Sequence, residues 1–306
     1  MHTLEAALAA LTAGELVILP TETVYGLAAD AGDPLAVARL FEAKGRARFN
    51  PLIAHVVDLA RARPLARLDE RAVRLAEAFW PGPLTLVAPS IDSRAICDLA
   101  RAGLDTVAIR APAHPLSQAV LRGFGRPVVA PSANRSGRPS PTTCADALAE
   151  TGAFATAALD GGPCAVGLES TVVALLEGPP RLLRPGAVTR AQIEALIGPL
   201  AEAEADARRS PGRLTRHYAP SAPMRLDALA RRPGEAFLAL GPAPPGSGVF
   251  NLSERGDLAE AAARLFSLLR AADALAPVAI AVAPIPEEGL GEAINDRLRR
   301  AAGHVG

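Results

Sequence analysis

A chain of 306 residues, half of them hydrophobic, can bury one large core or two ordinary ones, which excludes a disordered segment and a small disulfide scaffold. Lys plus Arg at 32 offset Asp plus Glu at 32, so the chain lacks the overall positive charge of a dedicated nucleic-acid binder, and any RNA contact must be local. Cys97, Cys144 and Cys164 are odd in number and contain no close pair, which argues against a disulfide framework or zinc ribbon and for a reducing compartment.

Residues 3–13 repeat apolar positions at helical spacing and stop at Gly14, and Leu16-Val17-Ile18-Leu19 then reads as a short buried strand ending at Pro20. Asp33-Pro34 is a cap and first-turn pair for a helix through Phe41, which delivers Lys44-Gly45-Arg46-Ala47-Arg48-Phe49-Asn50-Pro51 into a loop. A strand over 52–57, a helix over 69–79 capped by Asp69, and a strand over 84–88 follow, the last two separated by Trp80-Pro81-Gly82-Pro83. Thr106–Arg110 and 128–130 read as buried strands, each ending in polar, Pro-rich sequence, and Ser140-Pro141 is expected to open another helix. Segments 169–176 and 181–184, joined through Gly178-Pro179-Pro180, predict a hairpin, and the pair Thr189/Gln192 predicts a capped final helix.

From residue 199 the composition turns Ala/Glu-rich and then Arg/Pro-rich, as linkers are. Beyond it, apolar strands over 236–240 and 278–282 flank a helix over 257–275, and a second helix covers 290–302. The expected organisation is a catalytic α/β unit over 1–198, a linker over 199–222 and a smaller α/β unit over 223–306. The start of the chain carries no basic run, and no apolar stretch approaches the roughly 20 residues of a membrane span, so a cytoplasmic protein without membrane attachment is expected.

Arginine does nearly every job lysine could do, and Lys44 is the sole lysine. A compact ammonium set against a phosphate or carboxylate is not replaceable by a wide planar fork, so Lys44 marks a candidate site. Tyr25, Tyr218 and Trp80 also sit in Pro-, Gly- and Thr-rich segments rather than plain amphipathic helices. Polar motifs recur where strands end, which is where open α/β sheets gather ligands. Those ends supply the cations Lys44, Arg46, Arg110 and Arg184, the hydroxyls Thr21, Thr23, Ser132, Ser140, Ser170 and Thr171, and the neutral groups Asn50, Asn134 and His55. Each arginine alone is equally well a solvated surface charge, and His55 a satisfied buried imidazole; their joint recurrence at strand ends is the argument for one polyanion site.

Acids are few there. Glu22 and Glu169 are the exceptions, which argues against a two-carboxylate hydrolase and a protein-built metal cage. The chain shows neither a Walker loop nor a dinucleotide fingerprint, and Ser132, Ser170, Cys144 and Cys164 lack an adjacent activating base. Catalysis by positioning and charge neutralisation fits better.

Pro20-Thr21-Glu22-Thr23-Val24-Tyr25-Gly26-Leu27, the 44–52 loop, Trp80-Pro81-Gly82-Pro83-Leu84-Thr85, Pro131-Ser132-Ala133-Asn134, Glu169-Ser170-Thr171 and Leu183-Arg184-Pro185-Gly186 together resemble the YrdC-type threonylcarbamoyl-AMP synthases. The segment from Pro211-Gly212 through His217-Tyr218-Ala219-Pro220 and the C-terminal run from Gly291 through Leu298 resemble the longer, two-domain version. The resemblance is strong over residues 5–200 and looser after 221. It implies a twisted mixed open sheet with helices around a basic concave cavity, plus a smaller Rossmann-like α/β domain.

It also implies that L-threonine, bicarbonate and ATP, accompanied by Mg2+, give threonylcarbamoyl-adenylate and pyrophosphate for threonylcarbamoyladenosine modification of tRNA beside the anticodon. A downstream tRNA threonylcarbamoyl transferase complex would receive the adenylate, with at most a weak direct contact to tRNA. By resemblance, Thr23, His55, Arg110, the Ala130 backbone and Ser170 would hold threonine. Lys44, Arg46, Asn50, Thr106, Ser132, Ser140 and Arg184 would hold ATP, with Lys44 and Arg46 closest to the chemistry. His217 and Tyr218 would form a lid that excludes water. No protein-side metal ligand is assigned. Family members often carry proline directly after the loop arginine; Ala47 stands there instead, which loosens the loop without removing charge. The alternative of another class is a non-catalytic double-stranded RNA-binding module, which the neutral overall charge disfavours.

Overall fold

A computed structural model describes residues 2–91, 94–202 and 217–303 of the chain. Segment 203–216, most of the expected linker, lies outside the described residues, as do positions 92–93. In chain order the described elements are α1 (Leu4–Thr12), β1 (Leu16–Leu19), β2 (Gly26–Asp30), α2 (Pro34–Lys44), β3 (Ile53–His55), α3 (Leu59–Ala62), α4 (Glu70–Phe79), β4 (Leu84–Pro89), α5 (Asp98–Arg101), β5 (Thr106–Arg110), α6 (Pro115–Phe124), β6 (Val128–Val129) and α7 (Cys144–Thr151). They continue with β7 (Ala155–Ala158), β8 (Thr171–Ala174), β9 (Arg181–Arg184), α8 (Arg190–Ile197), β10 (Ala201–Glu202), β11 (Met224–Arg225), β12 (Glu235–Ala239), β13 (Val249–Asn251), α9 (Leu258–Ala274), β14 (Ala279–Val282) and α10 (Leu290–Ala302).

Ten strands form one mixed sheet in the order β10-β9-β8-β4-β5-β3-β6-β2-β1-β7. Its centre alternates direction: β4 is antiparallel to β5, β5 is parallel to β3, and β3 is antiparallel to β6. The other four strands form a wholly parallel sheet, β11-β14-β12-β13, covered by α9 and α10 in the manner of a small doubly wound unit. The Rossmann-like expectation holds, with β11 and β13 as additional strands. Their half-buried residues give a weaker apolar signal than β12 and β14 do.

Local chemistry sets most helix starts. Thr3, Asp33, Asp69, Thr143, Thr189 and Asp257 each accept a backbone N–H from the first turn of their helix, a contact contributing about 1 kcal/mol each. The Thr189/Gln192 capping box forms as expected. Two boundaries differ from the sequence reading. The helix after Ser140-Pro141 begins only at Cys144, because Thr143 rather than Ser140 caps it. Helix α2 runs on to Lys44 and ends at Gly45 in the left-handed region, φ 57°, so Lys44 is the last helical residue rather than a loop residue.

The large sheet has two faces with different tasks. Leu84, Leu86, Val173 and Leu182 point into a core shared with α4 and α8. On the opposite face Val87, Ala108, Val172 and Ala174 form an apolar floor. Strand register places Thr85, Thr106, Arg110, His55 and Arg184 on that second face as well. The two α/β units are joined tightly. Val24, Leu168 and Tyr218 pack within the hydrophobic cluster of the smaller unit, beside Leu265, Phe266 and Leu298. Gly167, at φ +70°, permits this approach: a Cβ there would stand 2.5 Å from the Ala263 Cα and carbonyl oxygen of α9.

Candidate active site

The polar end of the second sheet face opens into a cavity. It is lined by Thr23, Val24, Arg46, Leu52, Ile53, His55, Arg110, Ala130, Pro131, Ser132, Glu169, Ser170, Arg184, His217 and Tyr218. Strand ends supply its floor: β3 ends at His55, β5 at Arg110, β6 feeds Ala130 and Ser132, β8 begins after Ser170, and β9 ends at Arg184. The 20–26 turn supplies one wall. Thr21 Oγ1 accepts from the Thr23 and Val24 amides and donates to Val24 O at 2.6 Å, closing a tight hydroxyl turn that fixes Thr23.

Arg110 is buried, and each of its three nitrogens is engaged once. Its Nε donates to Gly82 O at 3.1 Å, one terminal nitrogen to Thr23 Oγ1 at 2.9 Å, and the other to Glu22 Oε1 at 2.6 Å. Burial works to raise the Glu22 carboxyl, but the Arg110 guanidinium and the Ala113 amide hold it below its usual range, so the pair is ionic. His55 is held neutral: burial, then the Arg110 charge, push its imidazole down to about 3. Its Nδ1 stands 3.1 Å from Ile53 O, a contact that needs the proton on that nitrogen.

On the opposite wall Arg184 donates to Ser170 O from Nε at 3.1 Å and from a terminal nitrogen at 2.9 Å, and to Ser170 Oγ at 3.2 Å. Ser170 Oγ is also 2.7 Å from Thr85 Oγ1. Arg46, half-buried, braces its own loop through Asn50 O at 3.3 Å and Pro51 O at 3.0 Å, and burial lowers its guanidinium to about 10. His217 and Tyr218 close the cavity from the side of the smaller unit. Tyr218 adopts φ 64°, a conformation bulky residues rarely take. Its ring lies 4.0 Å from that of His217 and 5.4 Å from that of Phe266. Burial pushes His217 down to about 3, and both His217 Nδ1 and the Tyr218 hydroxyl are buried without a hydrogen-bond partner among the described residues.

Ten of the side chains singled out in the sequence therefore share one cavity: Thr23, Arg46, His55, Arg110, Ala130, Ser132, Ser170, Arg184, His217 and Tyr218. Four stand back from it. Lys44 is buried behind the wall, its ammonium donating to the main-chain oxygens of Ser132 and Asn134. Burial, then the Arg46 charge, lower it well below the usual lysine value. Asn50 contributes its carbonyl to Arg46. Ser140 donates to Glu169 Oε1, a lining residue. Thr106 lies on the cavity face but at the other end of β5, four residues or about 13 Å from Arg110.

Tyr25 and Trp80, distinctive in the sequence, serve the framework instead: the Tyr25 hydroxyl binds Gly162 O at 2.7 Å and the Trp80 indole binds Leu84 O at 2.7 Å. The sequence reading counted Glu169 among the few acids at the strand ends but did not place Thr85 or Arg297 at the site. Arg297, from α10, donates through Nε to Glu169 Oε2 at 2.8 Å and lies 5.5 Å over the Tyr218 ring. Its position within the Gly291–Leu298 run was the available signal.

A cavity with three guanidinium groups, several hydroxyls, neutral imidazoles and irregular backbone can take more than one anionic group and neutralise charge. Among the described residues no group of three or more His, Cys, Asp or Glu side chains could hold a metal ion, and no helix is long and apolar enough to cross a membrane.

Comparison with known proteins is consistent across methods. A Sua5/YciO/YrdC family model, described as Telomere recombination, matches residues 9–186, and a second, described as Threonylcarbamoyl-AMP synthase, C-terminal domain, matches 188–303. The threonylcarbamoyl-AMP synthase of Pyrococcus abyssi is 41% identical over 314 residues, covering 95% of this chain and 91% of that protein. That of Bacillus subtilis is 39% identical over 319 residues, covering 97% and 92%. The crystal structure of P. abyssi Sua5 complexed with L-threonine aligns with a TM-score of 0.92 at 37% identity, covering 98% of this chain and 94% of that one.

Proposed function

The chain belongs to the Sua5/YciO/YrdC family as a two-domain threonylcarbamoyl-AMP synthase, and from that premise we propose how its cavity carries the reaction. The enzyme is a nucleotidyltransferase whose product serves tRNA modification. L-Threonine enters with its carboxylate toward Arg110 and Thr23, beside neutral His55, the Ala130 backbone and Ser170. Burial of the Arg110–Glu22 pair makes a charge-assisted contact to the incoming carboxylate strong, because little water competes. The neutral imidazole of His55 avoids adding a cation beside the amino group, which must lose its proton to react.

Bicarbonate supplies the carbon. The threonine nitrogen attacks it, water leaves, and the resulting carbamate oxygen attacks the α-phosphorus of ATP while the bond to the pyrophosphate leaving group breaks. Atoms balance as threonine, bicarbonate and ATP to threonylcarbamoyl-AMP, pyrophosphate and water. Arg46, Ser132 and Arg184 face the phosphates, Ser140 supports that side from behind Glu169, and the distal part of the nucleotide reaches toward Asn50 and Thr106 along the sheet face.

Lys44 acts one layer back. Two of its three N–H bonds are directed at Ser132 and Asn134 carbonyls, which leaves one for a phosphate. Magnesium would come with the triphosphate and offset its charge, since Glu169, the carboxylate in the cavity lining, has both oxygens engaged by Ser140 and Arg297. His217 and Tyr218 cover the reacting groups and keep water from the carbamate and the mixed anhydride. We place the catalytic unit at 1–198, the connecting segment at 199–222 and the second unit at 223–306, in a cytoplasmic protein that hands its adenylate to a tRNA threonylcarbamoyl transferase.

The observation that carries this reading is the convergence of Arg46, Arg110 and Arg184 on one cavity. Incubation with ATP, bicarbonate and each amino acid in turn, following pyrophosphate, tests it. Release that requires threonine and bicarbonate together supports it; double-stranded RNA binding without pyrophosphate release would reject it.

A further inference from the structure

Arg297 is at least 98% buried, yet it belongs to the smaller unit and reaches into the wall of the cavity. Its Nε donates to Glu169 Oε2 at 2.8 Å, a terminal nitrogen bonds Asp296 Oδ2 at 2.6 Å, and its guanidinium covers the Tyr218 ring. The other oxygen of Glu169 accepts the Ser140 hydroxyl. A negative carboxylate thus lines a cavity that, on the synthase reading, must hold a triphosphate. We infer that Arg297 is a positioning residue of the synthase reaction: by neutralising Glu169 and orienting it toward Ser140, it keeps the nucleotide side of the cavity receptive to phosphate, and thereby makes the second unit part of the ATP site.

Three features point the same way. Burial alone would raise the Glu169 carboxyl, but Arg297 first and Arg184 second hold it ionised, so its charge is present whenever ATP binds. Ser140 has one hydroxyl proton and gives it to Glu169; how firmly the carboxylate holds that proton decides whether Ser140 can turn to a phosphate oxygen. Main-chain docking reinforces the arrangement, since the His217 amide donates to Arg300 O at 3.3 Å on the same helix. Loss of the arginine would remove the first of the charges that offset this buried anion beside the place of a polyanion, a repulsion that removal of the carboxylate's charge relieves.

The inference rests on the synthase reading for the placement of ATP, and the test separates the two. Kd for a non-hydrolysable ATP analogue and KM for ATP and threonine are measured in the full-length chain for wild type, Arg297→Ala, Arg297→Lys, Glu169→Gln and the Arg297→Ala/Glu169→Gln pair. Arg297→Ala is expected to weaken the analogue by about tenfold or more, with the threonine KM changed by less than about threefold. The double variant should return to within about threefold of Glu169→Gln alone, and Arg297→Lys, which keeps the charge, should weaken binding less than Arg297→Ala.

A double variant as weak as Arg297→Ala, or Arg297→Ala binding as wild type does, overturns the inference. Should Arg297→Ala fail to fold, Arg297→Lys and the double variant decide it by the same comparison. If wild type binds the analogue but makes no threonine-dependent pyrophosphate, the synthase reading fails while the Kd series still decides the role of Arg297.

Discussion

Arg110 and Glu22 meet at 2.6 Å with side chains only 5% and 12% exposed, an ion pair at the place we propose for the threonine carboxylate. The fork of Arg110 is already shared among Gly82, Thr23 and Glu22, so on this proposal substrate joins a network and does not meet an isolated cation. Arg110→Lys keeps the charge and loses the fork. It is expected to raise the threonine KM by about tenfold or more while the ATP KM moves by less than about threefold. Steady-state pyrophosphate release at varied threonine and varied ATP reads both; equal changes in the two constants would remove Arg110 from the carboxylate.

Lys44 carries a different expectation. Because its ammonium ties the Ser132 and Asn134 carbonyls together from a buried position, Lys44→Met leaves the buried Asn134 carbonyl without its donor, at about 1–3 kcal/mol, and frees the part-buried Ser132 carbonyl. Unfolding midpoints in urea should fall accordingly, and pyrophosphate release should drop with them, since the loop that presents Ser132 loses its anchor. A variant with unchanged stability and abolished turnover would place the ammonium on the phosphates alone.

Stability should fall on acidification before any carboxylate titrates. His55 and His217 are held neutral with folded values of about 3, whereas an unfolded histidine titrates near 6.5. Below pH ~6.5 the unfolded chain binds protons the folded chain refuses, so their contribution is complete above that pH and is lost as pH falls toward 3. Each histidine contributes a slope of up to about 1.4 kcal/mol per pH unit. Urea midpoints between pH 7 and ~5 should decline, and His217→Phe should show a shallower decline; identical slopes would mean that His217 is charged in the folded protein.

Gly167 tests the seam between the two units. A methyl group there meets the backbone of Ala263, and the φ of +70° disfavours any side chain, so Gly167→Ala should cost at least about 1 kcal/mol. Calorimetry should show a lowered Tm. Because Tyr218 and Arg297 reach the cavity from across this seam, the ATP KM should rise as well, and an unchanged KM would show that the seam can shift without disturbing the site.

Much of the local structure was legible because its rules act within a few residues. The caps at Asp33, Asp69 and Thr189 form as the sequence indicates, and the hairpin across Gly178-Pro179-Pro180 forms between β8 and β9. The alternation in Thr106-Val107-Ala108-Ile109-Arg110 also carried a reading that buried-strand logic passed over: the odd positions face the core and the even ones the cavity. Strands β2 and β7 escaped because Gly- and Ala-rich segments have little alternating contrast, and their burial comes from neighbours distant in sequence, whereas α6 is amphipathic and opens on His114-Pro115, a signal the sequence reading passed over.

The amino-acid order alone thus determined which polar groups stand at strand ends, where most helices begin, and that the chain gathers cations for an anionic ligand. The tertiary structure alone decided which of them share a cavity, that Lys44 serves the wall while Arg46, Arg110 and Arg184 serve the interior, and that Arg297 answers Glu169 across a sequence separation of 128. Capping and turn chemistry are settled by adjacent atoms, whereas the partner of a buried charge is settled by strand pairing and domain docking, which bring together groups whose spacing in the chain carries no trace of their meeting.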